Sequence, residues 1–236
     1  MSIFDRPIAH RGLHSDNVAE NSMPAFSLAV EHNYNIELDV HLTSDGEVVV
    51  FHDDTLTRMC GVDKKISECS FSELSNYTLA STEDKIPTLR QVLEFVDNRV
   101  DVLIEIKNTG KVGKLESATY DILAPYSEHV SIQSFNPLSV KWFKDNAPSI
   151  PRGILATWDY TPSQKWPISY MLRAMWLNPL AKPHFIAYDE KYILTSKYLK
   201  KRRKNLKVLS WTVTSKARYD EISSMVDNII FEGWLP

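Results

Sequence analysis

The chain has 236 residues, 43% of them hydrophobic and 24% charged, with a formal net charge of −3. That apolar content buries a core without a metal or disulfide staple, and α/β barrels reach this length as one unit. The mild negative charge offers no footprint for nucleic acid, and no window approaches the ~18 apolar residues of a membrane span.

Taken in chain order, "MSIFDRPIAHRG" lacks the basic stretch and long apolar core of a signal peptide and runs straight into a strand. Short apolar runs follow at Pro7–His10, Asn35–His41, Val102–Lys107, Val130–Ser134, Gly153–Ala156, His184–Tyr188, Val208–Val213 and Asn228–Phe231. Helical spacing falls between most of them, as in Asn21–Asn33, Thr88–Asn98 and Asn136–Asn146. In the second of these, Leu89, Val92, Leu93 and Val96 line one face and Thr88 is placed as an N-cap. Strands alternating with helices predict parallel βαβ units. Eight such units in a chain of this length favour a closed (β/α)8 TIM barrel over an open sheet. No GxGxxG or GxxxxGK[ST] fingerprint of a nucleotide fold is present.

Two segments break the alternation. Ser44-Asp45-Gly46 is a tight-turn signal, so "EVVVFH" is expected to return as a strand beside the second one, opening an insertion over about 44–86. The aromatic segment over about 157–183 holds Trp158, Trp166 and Trp176 and is expected to carry a helix near Ile168–Trp176, as a packed insertion or a lid over the barrel mouth. The expected organisation is thus a single catalytic barrel domain over 1–236 with these two interruptions. The basic run "KYLKKRRK" (Lys197–Lys204) is expected to be a solvated helix end with its cations near the C-terminus, membrane phosphate being the lesser alternative. Cys60 and Cys69 lack zinc-site spacing and are expected to be reduced thiols in a cytoplasmic protein. The sequence sets no oligomeric state.

The chemistry concentrates in "NIELDVHLTSDGEVVVFHDD" (Asn35–Asp54). Side chains alternate along a strand, so Glu37 and Asp39 share one face while Ile36, Leu38 and Val40 share the other. In "LIEIK" the same parity puts Leu103, Glu105 and Lys107 together, with Leu103 deeper in the barrel. Three carboxylates in a dry interior need a neutralising cation, and oxygen ligands suit a hard ion such as Mg²⁺ or Ca²⁺. The competing arrangement is a buried salt-bridge network with Arg11 and Lys107. His10 and His52 form the natural proton-transfer pair, and Arg11 with Lys107 suit a phosphate.

These residues lie in motifs that resemble the glycerophosphodiester phosphodiesterases: "AHRG" (Ala9–Gly12), "EN" (Glu20-Asn21) with "AF", "IELDVHLTSDGEVVVFHDDTLTR" (Ile36–Arg58), "IPTLRQVL", "LIEIK", "IQSFNP" and "SWTV", in family order across most of the chain. The resemblance implies a TIM barrel that hydrolyses a small-molecule glycerophosphodiester to glycerol 3-phosphate and an alcohol. It implies a divalent metal on Glu37, Asp39 and Glu105, His10 and His52 as general base and acid, and Arg11 and Lys107 on the phosphate. Glu20 is expected to join the metal site or orient His10, and Trp211 to pack against the glycerol or the leaving alcohol. The chain departs from the family pattern at Ala19, Ser22, "HNYN" (His32–Asn35) and "IIFEGWLP", where Phe231 and Glu232 alter the rim and leave the alcohol specificity open. A lysophospholipase D-like activity using the aromatic segment is the alternative enzyme, and a non-catalytic barrel binding a phospho-ligand is the alternative of another class. A glycosidase is disfavoured because Glu37 and Asp39 share one strand.

Overall fold

The structure, a computed structural model, describes residues 3–80, 82–108, 110–159, 172 and 175–236. Strand β1 (Ile8–Ala9) is hydrogen-bonded in parallel to both β2 (Asn35–Leu42) and β9 (Asn228–Phe231). Between them run β4 (Val102–Ile106), β5 (Val130–Ser134), β6 (Arg152–Ala156), β7 (Phe185–Asp189) and β8 (Lys207–Val213), each parallel to its neighbour. This closes the expected barrel. The short β3 (Val48–Val50) lies antiparallel outside β2, with Val40 opposite Val50, after the turn at Ser44-Asp45-Gly46. The first strand is shorter than the run Pro7–His10, since Pro7 has no N–H to give a ladder.

Helices follow the strands as their signals dictate. In α1 (Met23–Glu31) the Ser22 side chain accepts from the Ala25 N–H, and Pro24 fills an early position that needs no donor. Two single-turn helices, α2 (Thr57–Cys60) and α3 (Phe71–Leu74), lie in the insertion. Next comes α4 (Leu89–Val96), which opens on a reciprocal box between Thr88 and Gln91 and buries Leu89, Val92, Leu93 and Val96 as their spacing requires. Among the described residues the remaining α-helices are α5 (Lys114–Leu123), α6 (Pro137–Asn146), α7 (Asn178–Ala181), α8 (Lys197–Arg202) and α9 (Lys216–Ile222). As expected, α8 ends in Lys200, Lys201 and Arg202 while Leu199 is buried.

Three apolar clusters divide the interior. The largest lies between the barrel wall and the helices. A second fills the barrel itself with Ile8, Leu103, Leu155, Phe185, Leu209 and Ile230. A third belongs to the insertion, where Val49, Phe51, Leu56, Ile66, Leu74 and Ile86 pack together. Inside the barrel the fit is tight: a Cβ at Gly153 would sit 2.0 Å from Cε2 of the buried Phe185 ring. Gly153→Ala should therefore cost about 3 kcal/mol and lower the melting temperature by roughly 8 °C, as overpacking of a close-packed core does. An unchanged melting temperature would show that the ring has room to turn.

The expected helix near Ile168–Trp176, and Trp166, fall largely outside the described residues. Of the tryptophans that are described, Trp176 is exposed and Trp158 stacks on Tyr198 with ring centroids 6.1 Å apart.

Candidate active site

Register explains how acids from separate strands meet. Asp39 pairs with Glu105 across β2–β4, and Glu105 pairs with Gln133 across β4–β5. The three form one row inside the barrel, with Glu37 one inward step deeper on β2 beside Leu103. Ligand oxygens of Glu37, Asp39 and Glu105 lie within 4.8 Å of one another, all buried.

The cations reach this row from two sides. Nζ of Lys107, just past β4, sits 3.1 Å from Asp39 and 2.9 Å from Glu105. Nε of Arg11 lies 3.6 Å from Asp39, and the Arg11 backbone N–H donates to Glu37 at 3.2 Å. Arg11 has φ +55°, a left-handed backbone conformation that is uncommon for any residue other than glycine. Gly12 follows at φ +78°, where a Cβ would meet the Ala25 carbonyl carbon at 2.8 Å, so only glycine lets β1 turn this closely into α1.

Salt bridging and a metal-binding arrangement were opposed readings of the sequence, and the charge count connects them. Among the described residues three acids face two cations, which leaves one negative charge uncompensated. Asp39 takes the pairing: against its burial, Lys107, His52, Arg11 and the Asn21 amide hold its carboxyl well below the usual range. The excess falls on the others. Burial, then the charges of Asp39 and Glu105, push Glu37 well above the ordinary carboxylate range. Burial pushes Glu105 up to about 7, with Asp39 adding to the effect and Lys107 opposing it. Two amide groups complete the donor set. Asn21 donates to Asp39 at 2.9 Å and Gln133 to Glu37 at 3.3 Å, yet their oxygens, Oδ1 and Oε1, are buried with no partner. Buried oxygens without donors beside an excess of negative charge are what a hard divalent cation satisfies.

Both histidines are backed by a carboxylate through Nδ1. His10 meets Glu232 at 2.5 Å and His52 meets Asp53 at 2.6 Å. Burial lowers the pKa of each, against the pull of its carboxylate partner. His41, on the same face of β2 as the acids, directs Nε2 to the His52 carbonyl at 3.2 Å and steadies that turn. A cleft of about 370 Å³ opens along His52, Glu105, Lys107, Phe135 and Asn136.

Glu20 accepts from Arg11 at 2.7 Å and from both terminal nitrogens of Arg58, at 2.7 and 3.0 Å, so it stands behind Arg11, the cation expected to face the phosphate. Arg58 also holds Asp53 at 2.7 and 3.1 Å, so one guanidinium ties the support of His52 to that of Arg11. Trp211, near the end of β8, packs edge-on against Phe135 at 5.5 Å, with its indole nitrogen buried and unpartnered. The sequence alone points to no role for Asn21, Gln133, Asp53 or Arg58, and to Glu232 only as a residue of the rim. Asp53 beside His52, and Gln133 at inward parity on its strand, were the available signals.

A closed barrel with acids, cations and carboxylate-backed imidazoles gathered at its strand exits defines a barrel hydrolase acting on phosphate esters. The model of the glycerophosphoryl diester phosphodiesterase family matches residues 10–231, and the chain belongs to that family. It is 31% identical over 238 residues to the glycerophosphodiester phosphodiesterase of Caldanaerobacter subterraneus subsp. tengcongensis, a match covering 94% of this chain and 92% of that protein. It is 30% identical over 161 residues to lysophospholipase D GDPD1 of Rattus norvegicus, covering 61% of this chain and 50% of the relative. Some other relatives are also matched only in part, as with 65% of the length of YqiK of Bacillus subtilis. Among solved structures, the Thermotoga maritima glycerophosphodiester phosphodiesterase superposes with a TM-score of 0.72 at 26% identity, over 95% of this chain and 92% of that one. An Oleispira antarctica phosphodiesterase, solved with the product sn-glycerol-3-phosphate, gives 0.78 at 23% identity over 95% and 91%, a likeness of fold.

Proposed function

We propose that the chain hydrolyses glycerophosphodiesters to glycerol 3-phosphate and an alcohol, using a divalent metal, Mg²⁺ or Ca²⁺, on Glu37, Asp39 and Glu105. The observation that carries this reading is the buried acid row, one charge in excess of its cations and flanked by the unpartnered amide oxygens of Asn21 and Gln133. When bound there, the metal supplies charge neutralisation for the phosphodiester oxygens. Arg11 and Lys107 bind the phosphate from opposite sides and stabilise charge that builds on it in the transition state. Each imidazole gives its Nδ1–H to a carboxylate, which leaves Nε2 free to work. One of His10 and His52 takes a proton from the nucleophile, water or the neighbouring glycerol hydroxyl, and the other protonates the departing alcohol oxygen. Trp211 packs against the glycerol or the alcohol, with its indole N–H available to a substrate oxygen.

The reading treats the chain as one catalytic barrel domain with the insertion held on its own small core. A cytoplasmic location fits the two free thiols, Cys60 and Cys69. Among the described residues no helix is long and apolar enough to cross a membrane.

The test is release of glycerol 3-phosphate from glycerophosphocholine and glycerophosphoethanolamine after EDTA treatment, then with Mg²⁺ or Ca²⁺ restored. Turnover that returns with metal supports the assignment, whereas turnover indifferent to EDTA sinks the metal site. A second reading, cleavage of lysophospholipids, is favoured by the cleft of about 510 Å³ lined by Trp158, Tyr192 and Tyr198, and by the likeness to rat lysophospholipase D. Choline release from lysophosphatidylcholine without turnover of glycerophosphocholine would select it.

Arg58 is half exposed, so its four contacts add little stability, about 1 kcal/mol or less. Its value here is positional. Arg58→Ala should leave the melting temperature within a few degrees and lower kcat by roughly tenfold, because His52 and Arg11 both lose a brace. Arg58→Lys should recover little, lacking the planar fork. A kcat equal to that of the unsubstituted chain would show that Asp53 and Glu20 need no clamp.

A further inference from the structure

A second group of metal-ligating side chains lies apart from the acid row. His10, His14 and Glu232 each place a donor atom within 4.8 Å of the others. His10 follows β1, His14 lies in the loop leading to α1, and Glu232 follows β9, the strand paired to β1. The Glu232 backbone N–H donates to the Val213 carbonyl at 3.1 Å, which fixes where its side chain starts. Nε2 of His14 stands 3.8 Å from Oε1 of Glu232, an ionic approach too long for a hydrogen bond, and is buried without a hydrogen-bond partner among the described residues. The proposed reaction gives His14 nothing to do.

We propose that His10, His14 and Glu232 form a second cation site, selective for a borderline ion of the Zn²⁺ class, and that filling it switches His10 out of the reaction. The donor set argues the selectivity. Two imidazole nitrogens and one carboxylate suit zinc, while the oxygen-only acid row suits a hard ion, so the two sites sort cations by chemistry. The spacing is compatible. Ligands held at about 2.1 Å from a tetrahedral ion lie about 3.4 Å apart, inside the 4.8 Å within which the three donor atoms already stand.

Switching follows from the valence of imidazole. With Nδ1–H donated to Glu232, Nε2 carries the lone pair that accepts a proton and later returns it. With the Nδ1 lone pair on a metal, the ring's single remaining proton sits on Nε2. That nitrogen then has no lone pair to accept another proton, and the ring cannot cycle as base or as acid. Glu232 changes partner in the same step, from the His10 N–H to the ion. The inhibitory half of this proposal rests on the role given to His10 above; the binding half does not.

The experiment uses the full chain with Mg²⁺ saturating the acid row. Zn²⁺ is titrated by calorimetry and Co²⁺ by its visible absorption, on the unsubstituted protein, His14→Ala and Glu232→Gln. The expected result is one further equivalent of Zn²⁺, a Co²⁺ spectrum of low-coordinate nitrogen ligation, and affinity at least tenfold weaker in each variant. Glycerol 3-phosphate release should fall as that equivalent binds, and His14→Ala should keep basal turnover while needing at least tenfold more Zn²⁺ for the same inhibition. Equal affinity in all three proteins overturns the site. So does Zn²⁺ that Mg²⁺ displaces and Asp39→Asn abolishes, since it would then occupy the acid row. Binding lost in the variants together with turnover indifferent to Zn²⁺ overturns the switch alone. A protein that binds Zn²⁺ here but never releases glycerol 3-phosphate fails the function proposed above and leaves this site standing.

Discussion

Glu37→Gln yields a metal-free protein that melts higher than the unsubstituted chain at about pH 8, gains little stability from added Mg²⁺ or Ca²⁺, and turns over about 10³-fold more slowly. The thermal and catalytic effects share one cause. Glu37 is fully enclosed with Asp39 and Glu105, and among the described residues no cation remains to balance it once Lys107 and Arg11 are engaged. Its folded pKa is raised, so the folded state keeps a proton that the unfolded chain has lost above about pH 4.3. Stability therefore falls as pH rises through the window from that value to the raised one, and stays lowered above it. Glutamine keeps the shape and can still accept from the Arg11 N–H, without the charge. The gain should be about 3 °C or more, the shift that roughly 1 kcal/mol gives a domain of this size, and it should vanish below about pH 4, where both side chains are neutral. The unsubstituted chain should overtake the variant once metal is added, because only it holds three acids for the ion. Thermal denaturation with EDTA and with each metal, at both pH values, makes the comparison. A variant that melts lower without metal, or that gains as much from metal as the original, would mean that the acid row is neutralised in some other way.

The same residue shows what a sequence can disclose. Strand parity is local: once β2 is read as a strand, Glu37 and Asp39 must share a face, and the same rule on β4 brings in Glu105 with Lys107 nearby. The helices and caps were legible for the same reason, as the Thr88–Gln91 box shows. The supports were not legible, because they depend on closure of the barrel. Glu232 meets His10 across 222 positions of chain, only because β9 pairs with β1. Arg58 reaches Glu20 across 38 positions, by way of an insertion whose path no periodicity describes. Its place beside Asn21 makes Glu20 legible only as a residue of the mouth, near the metal, His10 or the substrate. The structure turns it to two arginines, and it is Asn21 that reaches Asp39. At the Phe231-Glu232 departure the sequence points to the substrate rim, and the structure adds that the Glu232 carboxylate accepts from His10.

The two histidines should separate by leaving group. His10→Ala and His52→Ala each lower kcat for glycerophosphocholine by about 10²- to 10⁴-fold, the range for loss of a positioned proton-transfer group. Choline is a poor leaving group and needs a proton on its oxygen, whereas 4-nitrophenolate leaves without one. On a glycerol phosphodiester of 4-nitrophenol, the variant lacking the general acid should recover most of its rate, and the variant lacking the base should not. The pH profile gives an independent check. Burial, assisted by Arg11 at His10 and by Lys107 and Arg11 at His52, lowers both pKa values below the ordinary 6.5. The base must be neutral to act, so kcat/KM should hold as pH falls through 6.5 and drop only below it. Carboxylate backing adds a smaller effect: Asp53→Asn and Glu232→Gln leave each ring in place but weaken the preference for N–H at Nδ1, which should cost less than deleting the ring and move the same acid limb to still lower pH. Equal losses for both histidine variants on both substrates, with metal binding intact, would mean that proton transfer does not limit the rate on either ester. Near-normal turnover in either variant would remove that histidine from the reaction altogether.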